Sequence, residues 1–154
     1  NIVRNVASAI NILGKDYYFP SGTSSRFVFR NNLFDNISRA SFGGNGRFLL
    51  VNGGVDFTFD HNTIIQDGAS VVYADTNAVS QFTFTNNIAP DHAWAIMGGG
   101  TSPGNGTIAT FFPSSTFLRG VWAGSNLGSY PTGNYYPPTL DAVAADMKGK
   151  VKVV

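Results

Sequence analysis

Three segments of this chain align without gaps: Arg26-Phe27-Val28-Phe29-Arg30-Asn31-Asn32-Leu33, Asp56-Phe57-Thr58-Phe59-Asp60-His61-Asn62-Thr63 and Gln81-Phe82-Thr83-Phe84-Thr85-Asn86-Asn87-Ile88. Two weaker copies flank them, Asn1-Ile2-Val3-Arg4-Asn5-Val6 and Thr116-Phe117-Leu118-Arg119-Gly120-Val121. A repeat constrains a fold strongly, because each unit must bury its apolar face against the next. Within each main copy, Phe alternates with polar or β-branched residues, the period of a strand with one buried face. Asn follows at positions 5, 32, 62 and 87, with Gly120 in the fifth slot. Asn and Gly both tolerate the left-handed backbone of a tight bend. A second apolar run lies between copies each time, at residues 10–13, 48–51, 71–74 and 94–97.

Two strands, a bend and a variable loop per repeat are what one coil of a parallel β-helix requires. Coils stack at strand spacing, ~4.8 Å, so equivalent residues form columns. The columns expected inside are Phe27/Phe57/Phe82 and Phe29/Phe59/Phe84, with Asn5, Asn32, Asn62 and Asn87 as an amide ladder along one bend. An antiparallel sandwich also has short strands and many turns, but it does not demand the same residue at the same coil position.

The stretch Phe82-Thr83-Phe84-Thr85-Asn86-Asn87-Ile88-Ala89 resembles the repeat of right-handed parallel β-helix proteins, the pectate-lyase-like superfamily of secreted bacterial proteins. The resemblance covers residues 1–123. It implies an all-β fold, a right-handed β-helix of about five coils, and an extracellular or cell-surface location. It selects no single function, because that superfamily includes lyases, hydrolases, adhesins and binding modules.

Composition agrees with this reading. All nine acidic residues are Asp and none is Glu; Glu favours helices, whereas Asp favours turns and caps. The formal net charge is +1, which offers no general pull toward nucleic acid. No apolar run approaches the ~18–20 residues of a membrane-spanning helix. Cys is absent, so disulfides and Cys-based metal sites are excluded.

The two ends read differently. The chain opens inside a repeat, which predicts the C-terminal portion of a longer protein, or a first coil that pairs with another copy. Residues 124–154 read as a loop, a short helix over 139–147 with Thr139 as N-cap, and a tail, together covering the last coil. Residues 98–106 form the longest glycine-rich stretch and read as a flexible loop, without the lysine of a phosphate-binding loop.

Polysaccharide-cleaving proteins of the resembled superfamily use clustered acids, often with calcium. Here Asp56 and Asp60 fall on the outward side of their strand, one coil from Arg26 and Arg30, which predicts an ion-pair ladder. Asp35, Asp67, Asp75 and Asp91 lie on loops, where no spacing selects a pair. His61 occupies the slot of Asn31 and Asn86; alternation along a strand points it away from Asp60. His92 sits in a turn with no third metal ligand in sight. Asp56, Asp60 and His61 are the catalytic candidates, and calcium the only cofactor to consider.

Aromatic residues in Pro/Gly-rich segments carry the alternative. Tyr17, Tyr18, Tyr130, Tyr135 and Tyr136 offer flat rings with polar tips, suited to stacking on sugars. Thr58, Thr83 and Thr116 form a further outward column. The expectation is an extracellular module that binds polysaccharide through its loop tyrosines without catalysis of its own. The alternatives are part of a polysaccharide lyase or glycoside hydrolase, and an assembly unit forming homo-oligomers through its uncapped N-terminal coil.

Overall fold

A strand that buries one Phe-bearing face needs a like strand above and below it. The computed structural model describes residues 1–16, 18–90, 93–124 and 129–142, and it stacks the copies in this way. Coil one comprises β1 (Ile2–Val6), β2 (Ile10–Leu13) and β3 (Ser25–Arg30). Coil two comprises β4 (Leu33–Ile37), β5 (Leu49–Asn52) and β6 (Gly54–Asp60), with helix α1 (Arg39–Phe42) inserted after β4. Coil three comprises β7 (Thr63–Gln66), β8 (Ser70–Ala74) and β9 (Val79–Thr85). Coil four comprises β10 (Ile88–Pro90), β11 (Trp94–Gly98) and β12 (Thr116–Leu118), with α2 (Asn105–Phe111) between the last two, and β13 (Val121–Ala123) opens the fifth.

Every pairing among the described residues is parallel, in three sheets: β1-β4-β7-β10-β13, β2-β5-β8-β11 and β3-β6-β9-β12. This is a right-handed parallel β-helix of about five coils. Register follows the repeat, with Phe27, Phe57 and Phe82 aligned and Phe29, Phe59 and Phe84 aligned. The Phe27 and Phe57 rings stack at 5.2 Å and the Phe29 and Phe59 rings at 4.9 Å. Further along, Phe84 stacks on Trp122 at 4.9 Å, and Phe48 closes the core edge-on against Phe34 and Phe59. Each buried Phe contributes roughly 1.5–3 kcal/mol.

The bends correct the sequence reading. Asn32, Asn62 and Asn87 do not themselves take the left-handed conformation; the residue before each does, as Asn31 (φ 56°), His61 (φ 54°) and Asn86 (φ 56°). Arg119 (φ 55°) does the same ahead of Gly120. The turn at the preceding residue leaves the next asparagine's side chain directed into the coil, where Asn62 and Asn87 are fully buried. Arg26, Asp56, Gln81 and Ser114, one per coil, form a second left-handed set at φ 55–60°. Each costs roughly 1–2 kcal/mol relative to an ordinary strand conformation.

The amide column also starts elsewhere than expected. Ile2 pairs with Leu33, so Asn1 and not Asn5 precedes the aligned strand, and its Nδ2 donates to Asn32 Oδ1 at 3.0 Å. Asn5 lies at the far end of β1, left-handed at φ 61°, and accepts from Asn36 Nδ2 at 2.8 Å. The first copy aligns through its strand after the bend, so Asn5 is not the counterpart of Asn32.

At the other end, Asn134 resumes the column past Gly120. Its Oδ1 accepts from Gly120 N at 2.9 Å and its Nδ2 donates to Phe117 O at 3.0 Å. Tyr135 then bridges to Val121 in parallel fashion, adding a rung to the first sheet. The glycine-rich stretch 98–106 is turns and irregular backbone over 99–104, as expected of a loop, and enters α2 only at Asn105; α2 then buries Thr107 and Phe111 against the core. A short C-terminal helix begins at Leu140, with Thr139 Oγ1 accepting from Ala142 N at 3.2 Å. The rest of the expected helix and the tail lie outside the described residues.

Candidate functional site

The acidic candidates differ in their surroundings. Asp60 was expected to face solvent but is 8% exposed. Its Oδ1 accepts from Thr85 Oγ1 at 2.8 Å and Asn86 Nδ2 at 2.7 Å. Its Oδ2 lies 3.1 Å from Arg30 Nε and 2.8 Å from His61 Nδ1. The Asn86 amide does most to hold this carboxyl well below the ordinary carboxylate range; burial opposes it, and the bonds to His61 and Thr85 reinforce it. Both oxygens are thus occupied by protein donors.

Strand alternation had set His61 and Asp60 apart, yet they touch. The left-handed backbone at His61 interrupts the alternation and turns its ring back onto the neighbouring carboxylate. Arg30 and Asp60 form the ion pair that the repeat predicts, but no ion pair joins Arg26 to Asp56, both of which lie at left-handed corners. Asp35 pairs with Arg4 at 3.4 Å. Asp67 accepts from Ser38 Oγ at 2.6 Å and from Arg39 N at 2.6 Å at the start of α1. Among the described residues no group of three or more His or acidic side chains converges on a point. Asp91 and His92 lie outside the described residues.

The tyrosines divide into packed and open. Tyr130 is 5% exposed, and its hydroxyl accepts from Ala95 N at 3.1 Å. Tyr136 packs near it at 6.1 Å between ring centres and donates to Pro131 O at 2.6 Å. Burial raises the Tyr136 hydroxyl to about 12. Tyr135 is half exposed at the last rung, while Tyr18 is 89% exposed in the loop after β2. Tyr17 lies outside the described residues. The four described rings of this set therefore do not form one platform: Tyr18 stands in coil one, and Tyr130, Tyr135 and Tyr136 stand at the opposite end of the coil stack.

Beside the Tyr18 loop, the corner between the second and third sheets opens into a groove of about 480 Å³ built from three successive coils. Coil one contributes Lys15, Asp16 and Thr23, coil two Asn52, and coil three Asn77 and Ser80. Its floor is backbone, since Gly14 approaches Gly53 so closely that a Cβ on Gly14 would overlap the Gly53 main chain. Asn52 Oδ1 accepts from both the N–H and the Nδ2 of Asn77, each at 2.9 Å, which fixes the two amides. Asp16 Oδ1 closes the adjoining loop by accepting from Tyr18 N at 2.8 Å and Phe19 N at 2.9 Å, and Asp16 N donates to Ser21 Oγ at 2.8 Å. That closure presents the exposed rings of Tyr18 and Phe19.

Sequence reasoning passed over Asn52, Asn77 and Phe19. A signal for the asparagines existed, because each stands five residues before the first Phe of its repeat, at Phe57 and Phe82. The groove offers hydroxyl, amide, ammonium and carboxylate groups, and the loop that leaves it at Asp16 carries two exposed rings, a combination suited to a polyhydroxylated ligand. Comparison with protein-family models, with curated proteins and with solved structures gave no match, so this geometry alone carries the functional reading.

Proposed function

We propose that this β-helix is an extracellular polysaccharide-binding module without catalysis of its own, and that it seats a glycan in the groove of Lys15, Thr23, Asn52, Asn77 and Ser80. The supporting observation is the adjacency of a polar groove spanning three coils to a loop carrying two exposed rings, Tyr18 and Phe19. The fixed amides give hydrogen bonds to sugar hydroxyls without reorganisation, and the aromatic faces suit the apolar face of a pyranose.

Affinity gel electrophoresis against pectin, alginate and xylan, with product release followed in parallel, tests this reading. Retardation is expected on at least one glycan, with no products, and is lost in the double variant Tyr18→Ala/Phe19→Ala. Calcium-dependent unsaturated products, abolished by Asp56→Ala, would replace the binding reading with that of a lyase.

A second reading rests on a different observation. Ile2 and Val28 on the first coil are each 64% exposed, and β1, β2 and β3 are the end strands of their sheets. An open edge of this kind pairs with another strand of matching direction. If a second copy fills it, light scattering reports a dimer that Val28→Lys dissociates; a monomer at all concentrations excludes it.

A further inference from the structure

The opposite end of the coil stack holds a second groove, of about 270 Å³. We propose that it is a separate binding site for an uncharged sugar ring, with Trp94 as the stacking surface. Trp94 opens β11, its backbone anchored through N–H donation to Ala69 O at 2.9 Å, and it remains 42% exposed. Strand-borne aromatic rings are rigid, so little side-chain entropy is lost when a ligand stacks on them.

The facing wall is polar and equally fixed. It consists of Ser102, Pro103 and Asn105 from the α2 insertion, with Ser129 and Tyr130 from the next coil. Tyr130 is held because its hydroxyl accepts from Ala95 N, the residue after Trp94. The insertion is held because Gly104 N donates to Ile96 O at 2.8 Å. Gly104 also lies against Ser129 so closely that a Cβ there would overlap the Ser129 carbonyl oxygen. Both walls are thus tied to one strand, and the groove exists before any ligand arrives.

The ligand class follows from the lining. Trp94, two serines and one asparagine line the space, and no described lining residue carries a charge. An anionic sugar would be desolvated here without a counter-charge from the described lining residues, which is costly. The first groove differs in holding Lys15 and Asp16. The two sites therefore favour different residues of a heteropolymer, or two chains.

Intrinsic fluorescence isolates the second site, because the chain has only two tryptophans and Trp122 is 1% exposed. Titration with cellohexaose and xylohexaose is expected to shift or quench the emission saturably, whereas hexagalacturonate does not. Trp94→Ala abolishes the response; Tyr18→Ala/Phe19→Ala leaves it unchanged. Asn105→Ala, exposed on the insertion, weakens the apparent affinity roughly threefold or more while circular dichroism stays that of the parent. No saturable change up to about 10 mM neutral hexasaccharide overturns the proposal, since weaker binding is not a site. An equal response to hexagalacturonate overturns the ligand class. A response lost in the Tyr18/Phe19 variant and retained in Asn105→Ala overturns the location.

Discussion

Asn62 donates twice to Asn87: its backbone N–H reaches Asn87 Oδ1 at 2.8 Å and its Nδ2 reaches the same oxygen at 2.9 Å. The same Nδ2 also meets Phe29 O at 2.9 Å, and Asn62 Oδ1 in turn accepts from Asn32 N at 3.1 Å and Asn32 Nδ2 at 2.9 Å. One buried amide thereby couples three coils.

Replacing Asn62 with Ala leaves several buried groups without partners. The expected loss is about 2–4 kcal/mol, read as a lower denaturant midpoint at unchanged slope. Asn5→Gly, at an exposed left-handed position outside the column, is expected to change stability by less than about 0.5 kcal/mol.

Asp60 makes stability depend on pH in the acid range. Its folded-state pKa lies below the ordinary 3.8, so its contribution is fully present above that value and is lost as pH falls below it. Asp60→Asn is expected to be less stable at neutral pH, by about 3 kcal/mol. The gap from the parent should narrow in denaturation experiments taken from pH 5 down to about 2.5. A gap independent of pH would contradict the geometry around this carboxylate.

Tyr136 gives the alkaline counterpart. Its hydroxyl titrates near 12, raised by burial from 10.0, so the stability it confers is present below pH 10 and disappears as pH rises through 12. Ultraviolet phenolate titration should show one tyrosine ionising last, and that step should vanish in Tyr136→Phe. The same variant loses the bond to Pro131 O, at about 1 kcal/mol.

Gly104→Ala tests the joint between α2 and the last coil. The residue has φ +70°, and a Cβ would overlap the Ser129 carbonyl. A loss of roughly 2–4 kcal/mol is expected, together with a change in Trp94 emission as the facing wall moves.

The strands were legible because their signal is local. Phe alternating with polar residues at one recurrent spacing names both the strand and its inward face, and the aligned Phe27, Phe57 and Phe82 follow from it. The corners were only half legible. Asn31 and Asn32 are equally able to take a left-handed bend, and the choice between them depends on which side chain finds a partner in the next coil. The corner of Arg26, Asp56, Gln81 and Ser114 shares no residue type, so no pattern marked it. Trp94 read as one more apolar strand residue, since its exposure depends on an insertion that packs beside it without covering it.

The amino-acid sequence by itself determined that this chain forms stacked parallel coils, because identical side chains at identical coil positions satisfy one another only in that arrangement. It also placed Tyr18 on a loop and withheld Glu and Cys from any site. Tertiary structure alone decided that Asn1 and Asn134 extend the amide column, that Asp60 is enclosed by donors, and that one groove has charged groups in its described lining and the other none. Each of these depends on groups from different coils meeting at bonding distance. Register and insertion length set that distance, and neither is written in any single repeat.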